Sequence, residues 1–202
     1  MMDSLPGETV ADLATDLPEI AVRAPTGSDI RALADLFAEM QRHYRRPVSH
    51  QQAIEAATLA CQPVRATFDP RVLLAEVAGA IAGSIVLNVT FPAFELSRAL
   101  YIRDLYVRQS MRRLGVGQAL VKAAARLTYS QTFSALDWTT ETGNAAARQM
   151  YESCGARVLA RTYYRLALED LNGKTEWLRD GITAPDGSVL DRKHDACRHQ
   201  RE

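Results

Sequence analysis

Two glycines beside a group of arginines are the residues in this chain whose types and spacing best suit ligand chemistry. Residues 100–107 form an apolar run that predicts a buried strand, and an arginine-rich turn connects it to Gly115, Val116 and Gly117. From Val116 onward the apolar residues recur at helical spacing, so the glycines open a helix. Backbone N–H groups at a helix N-terminus attract anions, and glycine lets a ligand approach the backbone closely. The stretch therefore predicts a phosphate or pyrophosphate site.

The same glycines would also suit close packing of a helix on a sheet, and the stretch alone does not separate the two interpretations. The spacing does exclude the common nucleotide motifs. No Gly-Lys-Ser/Thr follows, as a Walker loop requires, and Leu120 occupies the third glycine position of the dinucleotide fingerprint. A different phosphate ligand is needed.

Two motifs resemble those of one enzyme superfamily. Arg112 to Gly117 is similar to the R/Q-x-x-G-x-G/A motif of the acyl-CoA-dependent N-acetyltransferases, the GNAT superfamily. Asn144 to Gly155, NAAARQMYESCG, is similar to the superfamily's N-x-x-A-x-x-x-Y-E-x-x-G signature. The two motifs stand in the order that the superfamily has them, and together they cover the central and C-terminal halves of its fold.

The resemblance implies acetyl-CoA as co-substrate, and the sequence gives no reason to expect a metal. Backbone N–H groups of residues 113–118 would hold the pyrophosphate, and the pantetheine arm would pair with residues 105–107 like an extra strand. A bulge or splay there would expose main-chain N–H groups to the thioester oxygen. A plain core strand remains compatible with this role, because the backbone would make the contacts. The implied cofactor-binding residues are Leu105, Tyr106, Val107, Arg112, Arg113, Leu114, Gly115, Val116, Gly117, Gln118 and Asn144.

Tyr151 is the implied catalytic acid, whose hydroxyl would protonate the departing thiolate. It follows Asn144 by seven residues, which is two helical turns, so both side chains would project from one helix face. A phenol of ordinary pKa, about 10, stays protonated at neutral pH and can donate to a basic leaving group. A core tyrosine with an internal hydrogen bond is the structural alternative. Asn144 would contact the pantetheine, cap its helix, or do both.

The sequence does not decide whether an acidic residue or water acts as the general base that removes the amine proton. Asp104 on the central strand and Glu141 after the next strand are the acidic candidates, and a water chain is the third route. Asp104 would alternatively pair with Arg103, Arg98 or a backbone N–H. Polyamine-type members, which this DLYV stretch also resembles, carry an acidic residue where this chain has Arg103. An arginine there would repel a dication, which argues against a polyamine acceptor.

The acceptor pocket is predicted from acidic and aromatic residues, which suit a cationic amine. Glu39 and His43 are alternatively a solvated pair one helical turn apart. The pocket candidates are Glu39, His43, Tyr44, Phe91, Phe94 and Tyr164.

The elements that must position these residues follow from hydrophobic periodicity and turn signals. Strands are predicted at 20–23, 72–77, 80–89, 100–107, 135–140 and 157–168, the last as one bent strand or two. Helices are predicted at 29–43, 49–61, from 116, and at 144–154. With the resemblance, this gives an α/β (α+β) GNAT fold with a mixed, mostly antiparallel central sheet of six to seven strands flanked by helices.

Composition limits the class of protein. The 202 residues carry no net charge, so general nucleic-acid affinity is not predicted.

The sequence also predicts three segments: an acidic leader at 1–19, a GNAT domain at 20–170 and a polar extension at 171–202. The three scattered cysteines indicate a reducing compartment, and no apolar run reaches membrane-span length, so a cytoplasmic protein is expected. His194, Cys197 and His199 lack the fourth ligand that a structural zinc site needs.

Three functions are compatible with these residues. The first is an N-acetyltransferase that moves the acetyl group of acetyl-CoA directly to a primary amine of a small molecule or peptide. The second is a non-catalytic CoA-binding regulatory module, and the third is a different phosphate-binding α/β enzyme. A homodimer is compatible with the fold, although no residue specifies an interface.

Overall fold

A computed structural model of the chain describes residues 18–167 and 170. The predicted acidic leader, apart from its last two residues, lies outside the described residues, as do the predicted extension at 171–202 and the three ligand-type residues in it. The chain divides into two units, the first ending at Arg157 and the second beginning at Val158. In the second unit, residues 158–167 form neither helix nor strand.

The first unit is built on one five-stranded sheet whose strands lie in sequence order. The first four strands are antiparallel to their neighbours, and the fifth is parallel to the fourth. The sheet thus confirms the predicted mixed, mostly antiparallel architecture. The strands are β1 (Ile20–Arg23), β2 (Arg71–Val77), β3 (Ala80–Thr90), β4 (Ala99–Val107) and β5 (Leu136–Trp138).

The predicted count of six to seven strands was too high for the described residues, which contain five. The difference lies in residues 157–167, where the structure has no strand. Their aromatic and β-branched composition favours a strand, but a strand is stable only when its backbone pairs with a neighbour. No ladder among the described residues includes this segment. The strand predicted at 135–140 is also shorter, covering Leu136–Trp138.

Four helices flank the sheet: α1 (Ile30–His43), α2 (His50–Ala60), α3 (Val116–Ser130) and α4 (Ala145–Ser153). The predicted ends of these helices agree with the structure to within one residue, and for α3 only the first residue was predicted. The buried side chains of α1 and α2 pack in one cluster with Leu74 and Tyr106, and those of α3 pack in a second cluster with Ile85 and Leu100. The sheet is therefore covered by α1 and α2 on one face and by α3 on the other. Among the helices of residues 18–167, none is long and apolar enough to cross a membrane.

A β-bulge interrupts β4 at Arg103. Val86 of β3 pairs with Asp104 and Leu87 pairs with Ile102, so Arg103 has no partner of its own. One extra residue reverses which face of the sheet the following side chains occupy. Ile102 packs in the α3 cluster, whereas Tyr106 packs in the α1 cluster. The bulge thereby places Asp104, two residues before Tyr106, on the α1 face.

Gly83 allows β3 to approach the end of β4. A Cβ atom at residue 83 would lie 2.6 Å from the carbonyl oxygen of Tyr106 and 3.3 Å from Cα of Val107, and these backbone atoms cannot move cheaply. We expect Gly83→Val to lower the free energy of unfolding by about 2 kcal/mol or more, the usual range for overpacking. The measurement is the urea unfolding midpoint.

Gly27→Ala is the matched control for Gly83→Val, because a Cβ at residue 27 has no neighbour within 4 Å. It should unfold at the wild-type midpoint or slightly above it. Equal stability of the Gly83→Val protein and the wild type would show that the two strands can separate without cost.

Candidate active site

The C-terminal half of β4 has an open edge. On that side, β5 pairs only with Leu100, Tyr101 and Ile102, so the two parallel strands part at the bulge. On the other side, the N–H of Arg108 donates to the carbonyl of Ala82 in the strand region of β3. Because antiparallel ladders alternate, the N–H groups of Leu105 and Val107 face away from β3. The splay anticipated from sequence is therefore present, with two main-chain N–H groups directed to the open edge.

The glycine turn brings the N-terminus of α3 next to this part of β4. Gly115 has φ of 86° and Arg113 has φ of 66°, both in the left-handed region that reverses the chain direction. The first-turn N–H groups of α3 receive no side-chain cap, whereas Ser49 caps α2 and Asn144 caps α4. These uncapped donors and the positive end of the helix dipole make the turn suitable for an anion.

Gly117 is not required by packing within the protein. A Cβ atom there would lie 3.4 Å from Cε of Met150, an ordinary contact with the flexible end of a side chain. The two interpretations of the glycine motif therefore separate at this position. Helix packing would tolerate a negatively charged side chain in this first turn, whereas a phosphate bound to the first-turn N–H groups would not.

Tyr151 lies on α4 against the end of β5. Its ring centroid is 5.1 Å from that of Trp138, with the two ring planes inclined by 56°. Burial raises the pKa of Tyr151, and the charges of Tyr44 and Asp104 raise it further. The phenol therefore stays protonated at neutral pH, which is the form that an acid needs.

Asp104 is partly buried on β4 and forms no salt bridge among the described residues. Burial raises its pKa, while the Leu105 N–H and the charge of Arg103 act in the opposite direction without cancelling the rise. Burial also raises the pKa of Tyr44, with the charge of Asp104 adding to the rise and that of Arg112 opposing it. The structure thus brings Tyr44, Asp104 and Tyr151 into one electrostatically coupled group. Of the partners considered for Asp104 from sequence, the neighbouring N–H and Arg103 are the ones that act on it.

Both carboxylate oxygens of Glu39 contact side chains at the C-terminal end of β4. Its Oε1 accepts a hydrogen bond from the Tyr106 hydroxyl at 3.0 Å, and its Oε2 lies 2.6 Å from Nη1 of Arg108. The structure therefore does not have the solvated pair of Glu39 and His43 that was the alternative to a pocket role, since the carboxylate turns toward β4 instead. The His43 ring lies 5.9 Å from the Tyr106 ring, so His43 and Tyr106 are neighbours at the end of α1.

Two predicted pocket residues, Phe91 and Phe94, lie away from this group. They belong to the loop between β3 and β4, beside Ala99 and at the opposite end of β4 from Val107, and are 61% and 80% exposed. Glu141 is exposed in the turn before α4. Tyr164 belongs to the second unit of the chain and stays a prediction for the acceptor pocket.

The second motif also positions α4. The Asn144 side chain accepts a hydrogen bond from the N–H of Ala147 at 3.2 Å, so the predicted helix cap is confirmed. Nε2 of Gln118 on α3 donates to Oγ of Ser153 on α4 at 2.9 Å, which ties the glycine-turn helix to the helix that carries Tyr151. Contact of Asn144 or Gln118 with the pantetheine arm stays a prediction.

Sequence reasoning missed Trp138 and Met150 as neighbours of the site and gave Arg108 a different role. Trp138 supports the Tyr151 ring, and Met150 covers Gly117. Arg108 was one of the arginines expected to supply positive charge near the phosphate, and in the structure it holds Glu39. The contacts of Trp138 and Met150 join α4 to β5 and α3, and a sequence pattern does not specify packing between elements.

The open edge of β4, the glycine turn and the tyrosine of α4 have the arrangement that the resemblance to the GNAT superfamily implies. The model of the acetyltransferase (GNAT) family matches residues 32–156, more than half of the chain, and the chain belongs to this family.

Two curated proteins illustrate its relatives. An uncharacterized N-acetyltransferase, YhfO, of Bacillus subtilis is 31% identical over 134 residues, which are 66% of this chain and 87% of that protein. The L-ornithine N5-acetyltransferase NATA1 of Arabidopsis thaliana is 30% identical over 78 residues. That match covers 39% of this chain and spans about a third of the plant enzyme, 34% of its length.

Among solved structures, an integron cassette protein from the mobile metagenome of V. cholerae superposes with a TM-score of 0.64 at 27% identity. The superposition covers 78% of this chain and 98% of that protein. The fold predicted from sequence is confirmed by these comparisons.

Proposed function

We propose that this protein is an acetyl-CoA-dependent N-acetyltransferase that transfers the acetyl group directly to a primary amine. The observation that carries the proposal is the open edge of β4, where the N–H groups of Leu105 and Val107 face away from β3 beside an uncapped helix N-terminus. Tyr151 would complete the site as the proton donor, and Asp104 as the proton acceptor. Family membership supports acyl transfer. The cofactor, the amine acceptor and the catalytic roles are argued from the residues of this chain.

The chain would bind acetyl-CoA mainly through its backbone. N–H groups of residues 113–118 would hold the pyrophosphate, and residues 105–107 would pair with the pantetheine arm along the edge that β5 leaves open. An N–H at this edge would also stabilise negative charge on the thioester oxygen during attack. Arg113, exposed and without an acidic partner among the described residues, would balance phosphate charge.

Two proton transfers accompany the reaction. As the amine nitrogen forms its bond to the acetyl carbon, Asp104 would accept the amine proton directly or through one water. As the carbon–sulfur bond breaks, the Tyr151 hydroxyl would give its proton to sulfur. The raised pKa of each group favours its task, because a raised pKa makes a carboxylate a better base and keeps the phenol protonated.

Thiol release from acetyl-CoA tests the proposal, measured over a panel of polyamines, amino acids, aminoglycosides and short basic peptides. The plant relative named for ornithine acetylation supports small amines in the panel. Release with any amine supports the transferase. Binding of acetyl-CoA with no release would favour the CoA-binding regulatory module, and no binding would reject the site altogether.

If Asp104 is the general base, replacing it by asparagine should lower the rate and raise the stability. We expect Asp104→Asn to lower kcat by about 10²-fold or more, the usual scale for a general base, and to remove the acidic limb of the kcat/KM–pH profile. Because the folded-state pKa lies above the unfolded value, the wild type loses stability as pH rises through that pKa. The variant should therefore have the higher Tm at neutral pH, and this advantage should vanish at low pH.

Glu141→Gln is the control for the base, since Glu141 is exposed and outside the coupled group. It should keep both the wild-type rate and the acidic limb. An unchanged profile in the Asp104→Asn protein would assign deprotonation of the amine to water.

We also propose a cytoplasmic setting. Cys61 and Cys154 are free thiols, as expected in a reducing compartment.

A further inference from the structure

The charge on the α1 side of the site is the reverse of what the sequence predicts. Glu39 was the acidic residue expected to attract a cationic acceptor. In the structure, its carboxylate is neutralised by Arg108 and also accepts the Tyr106 hydrogen bond. Arg108 is fixed in turn, because its Nε donates to the carbonyl of Ile81 at 2.9 Å. A carboxylate held by two donors at these distances does not offer a ready site for an incoming ammonium group.

Arg112 extends its side chain onto this same side. Its Nε donates to the carbonyl of Val107 at 3.2 Å, and its guanidinium carbon lies 5.8 Å from the centroid of the Tyr106 ring. Tyr106 packs with α1, so the side chain of Arg112 is directed toward the α1 face and Tyr44. The residue is exposed and has no acidic partner among residues 18–167, so its outer nitrogen atoms remain available.

Arg103 adds a second cation at the bulge, next to Asp104 in sequence. It too is exposed and has no salt bridge within the described part of the chain. The end of α1 is basic as well, with Arg42 and His43 in its last turn and Arg45 and Arg46 following it. The segments that carry Tyr44 and Asp104 are thus mainly positive, with Arg112 acting on Tyr44 and Arg103 on Asp104.

We propose that the acceptor is an amine that also carries a carboxylate, and that Arg112 binds that carboxylate while Asp104 and Tyr151 act on the amine and the thioester. This inference rests on the proposed function, since it names the substrate class of the same site. A guanidinium with free outer nitrogens matches the planar, bidentate geometry of a carboxylate. Polyamines and aminoglycosides carry only positive charge and would be disfavoured.

Purely structural roles for these arginines make a different prediction. Arg112 stabilises the turn by packing on the Tyr106 ring, and cations at the end of α1 favour the helix dipole. Neither role distinguishes a substrate with a carboxylate from one without it. The test is therefore the discrimination between matched amines, rather than the total activity.

The probes are lysine against cadaverine and phenylalanine against phenylalaninamide, each pair differing at the carboxylate. The amide has the less basic amine, so a preference for phenylalanine would not arise from a larger fraction of neutral amine. Two quantities are measured for each probe: kcat/KM for thiol release, and Kd for binding to the CoA-saturated protein by calorimetry. We expect each carboxylate-bearing probe to be favoured by about tenfold or more, the scale of one charge-assisted hydrogen-bonded contact.

Arg112→Gln should reduce this discrimination to about twofold or less. The two members of each pair are compared within the same variant, so that a change in acetyl-CoA binding affects both alike. Arg31→Gln, an exposed arginine in the first turn of α1, is the control and should keep the full discrimination.

The outcomes separate the two proposals. Equal or better use of cadaverine and phenylalaninamide would overturn the carboxylate inference while leaving the transferase in place. Preferential binding of lysine and phenylalanine with no thiol release from any probe would support the inference and reject the transferase. Equal binding without release, or discrimination that survives Arg112→Gln, would overturn the role given to Arg112.

Discussion

Tyr151→Phe is expected to lower kcat by about 10²–10⁴-fold, the range for loss of a general acid, while acetyl-CoA binds as in the wild type. The substitution removes only the hydroxyl, and the phenylalanine ring would keep its packing on Trp138, 5.1 Å away between centroids. The Tm should therefore change little. Because burial, Tyr44 and Asp104 all raise the pKa of Tyr151, the alkaline limb of the wild-type rate profile should lie above the ordinary tyrosine value and be absent in the variant. Initial rates of thiol release across pH provide the measurement.

Tyr129→Phe is the matched control, since Tyr129 lies on α3 and is 89% exposed. It should leave kcat, the pH profile and Tm unchanged. Full turnover by the Tyr151→Phe protein would remove Tyr151 from the acid role and would make it a packing partner of Trp138.

Gly117→Glu is expected to weaken acetyl-CoA binding by about tenfold to a hundredfold with little change in stability. The added carboxylate would stand in the first turn of α3, where it would repel a pyrophosphate and compete with it for the first-turn N–H groups. A negative side chain at a helix N-terminus favours the helix itself, so the loss would come from the bound state. Losing one charge-assisted bond, at about 1.5–3 kcal/mol, accounts for the expected change. The measurements are Kd for CoA by calorimetry and the urea unfolding midpoint.

Gly117→Ala is the matched control, because the motif accepts glycine or alanine at this position and a methyl group would meet the flexible end of Met150 at 3.4 Å. It should bind CoA as the wild type does. Wild-type affinity for CoA in the Gly117→Glu protein would reject the first turn of α3 as the phosphate site. A large loss of stability in that protein would mean that Met150 cannot shift to make room for the larger side chain.

Much of the architecture followed from local pattern. Hydrophobic spacing predicted α1 and α3, the Asn144 cap marked where α4 begins, and turn signals separated the strands β2 and β3. These signals depend on residues within one or two turns of each other, so the sequence contains them directly. The two motifs at Arg112–Gly117 and Asn144–Gly155 likewise pointed to the family that the comparisons confirm.

The number of strands did not follow from such patterns. Residues 157–167 have the composition of a strand, yet the structure gives them none. Strand formation depends on a partner that is distant in sequence, and composition does not report whether that partner is in place.

By itself, then, the sequence determined the family, the position of the glycine turn and the identity of the tyrosine that we expect to act as acid. Only the tertiary structure decided the charge of the site. The bulge at Arg103 placed Asp104 on the α1 face, and the pairing of Glu39 with Arg108 joined residues 69 positions apart in the chain. The net charge can be counted from the sequence, but the charge that a ligand meets depends on which acidic and basic side chains pair with each other in space. For this reason Glu39, which predicted a cationic acceptor from sequence, no longer supports that prediction once it is paired with Arg108. The proposed binding of a carboxylate rests on Arg112 instead.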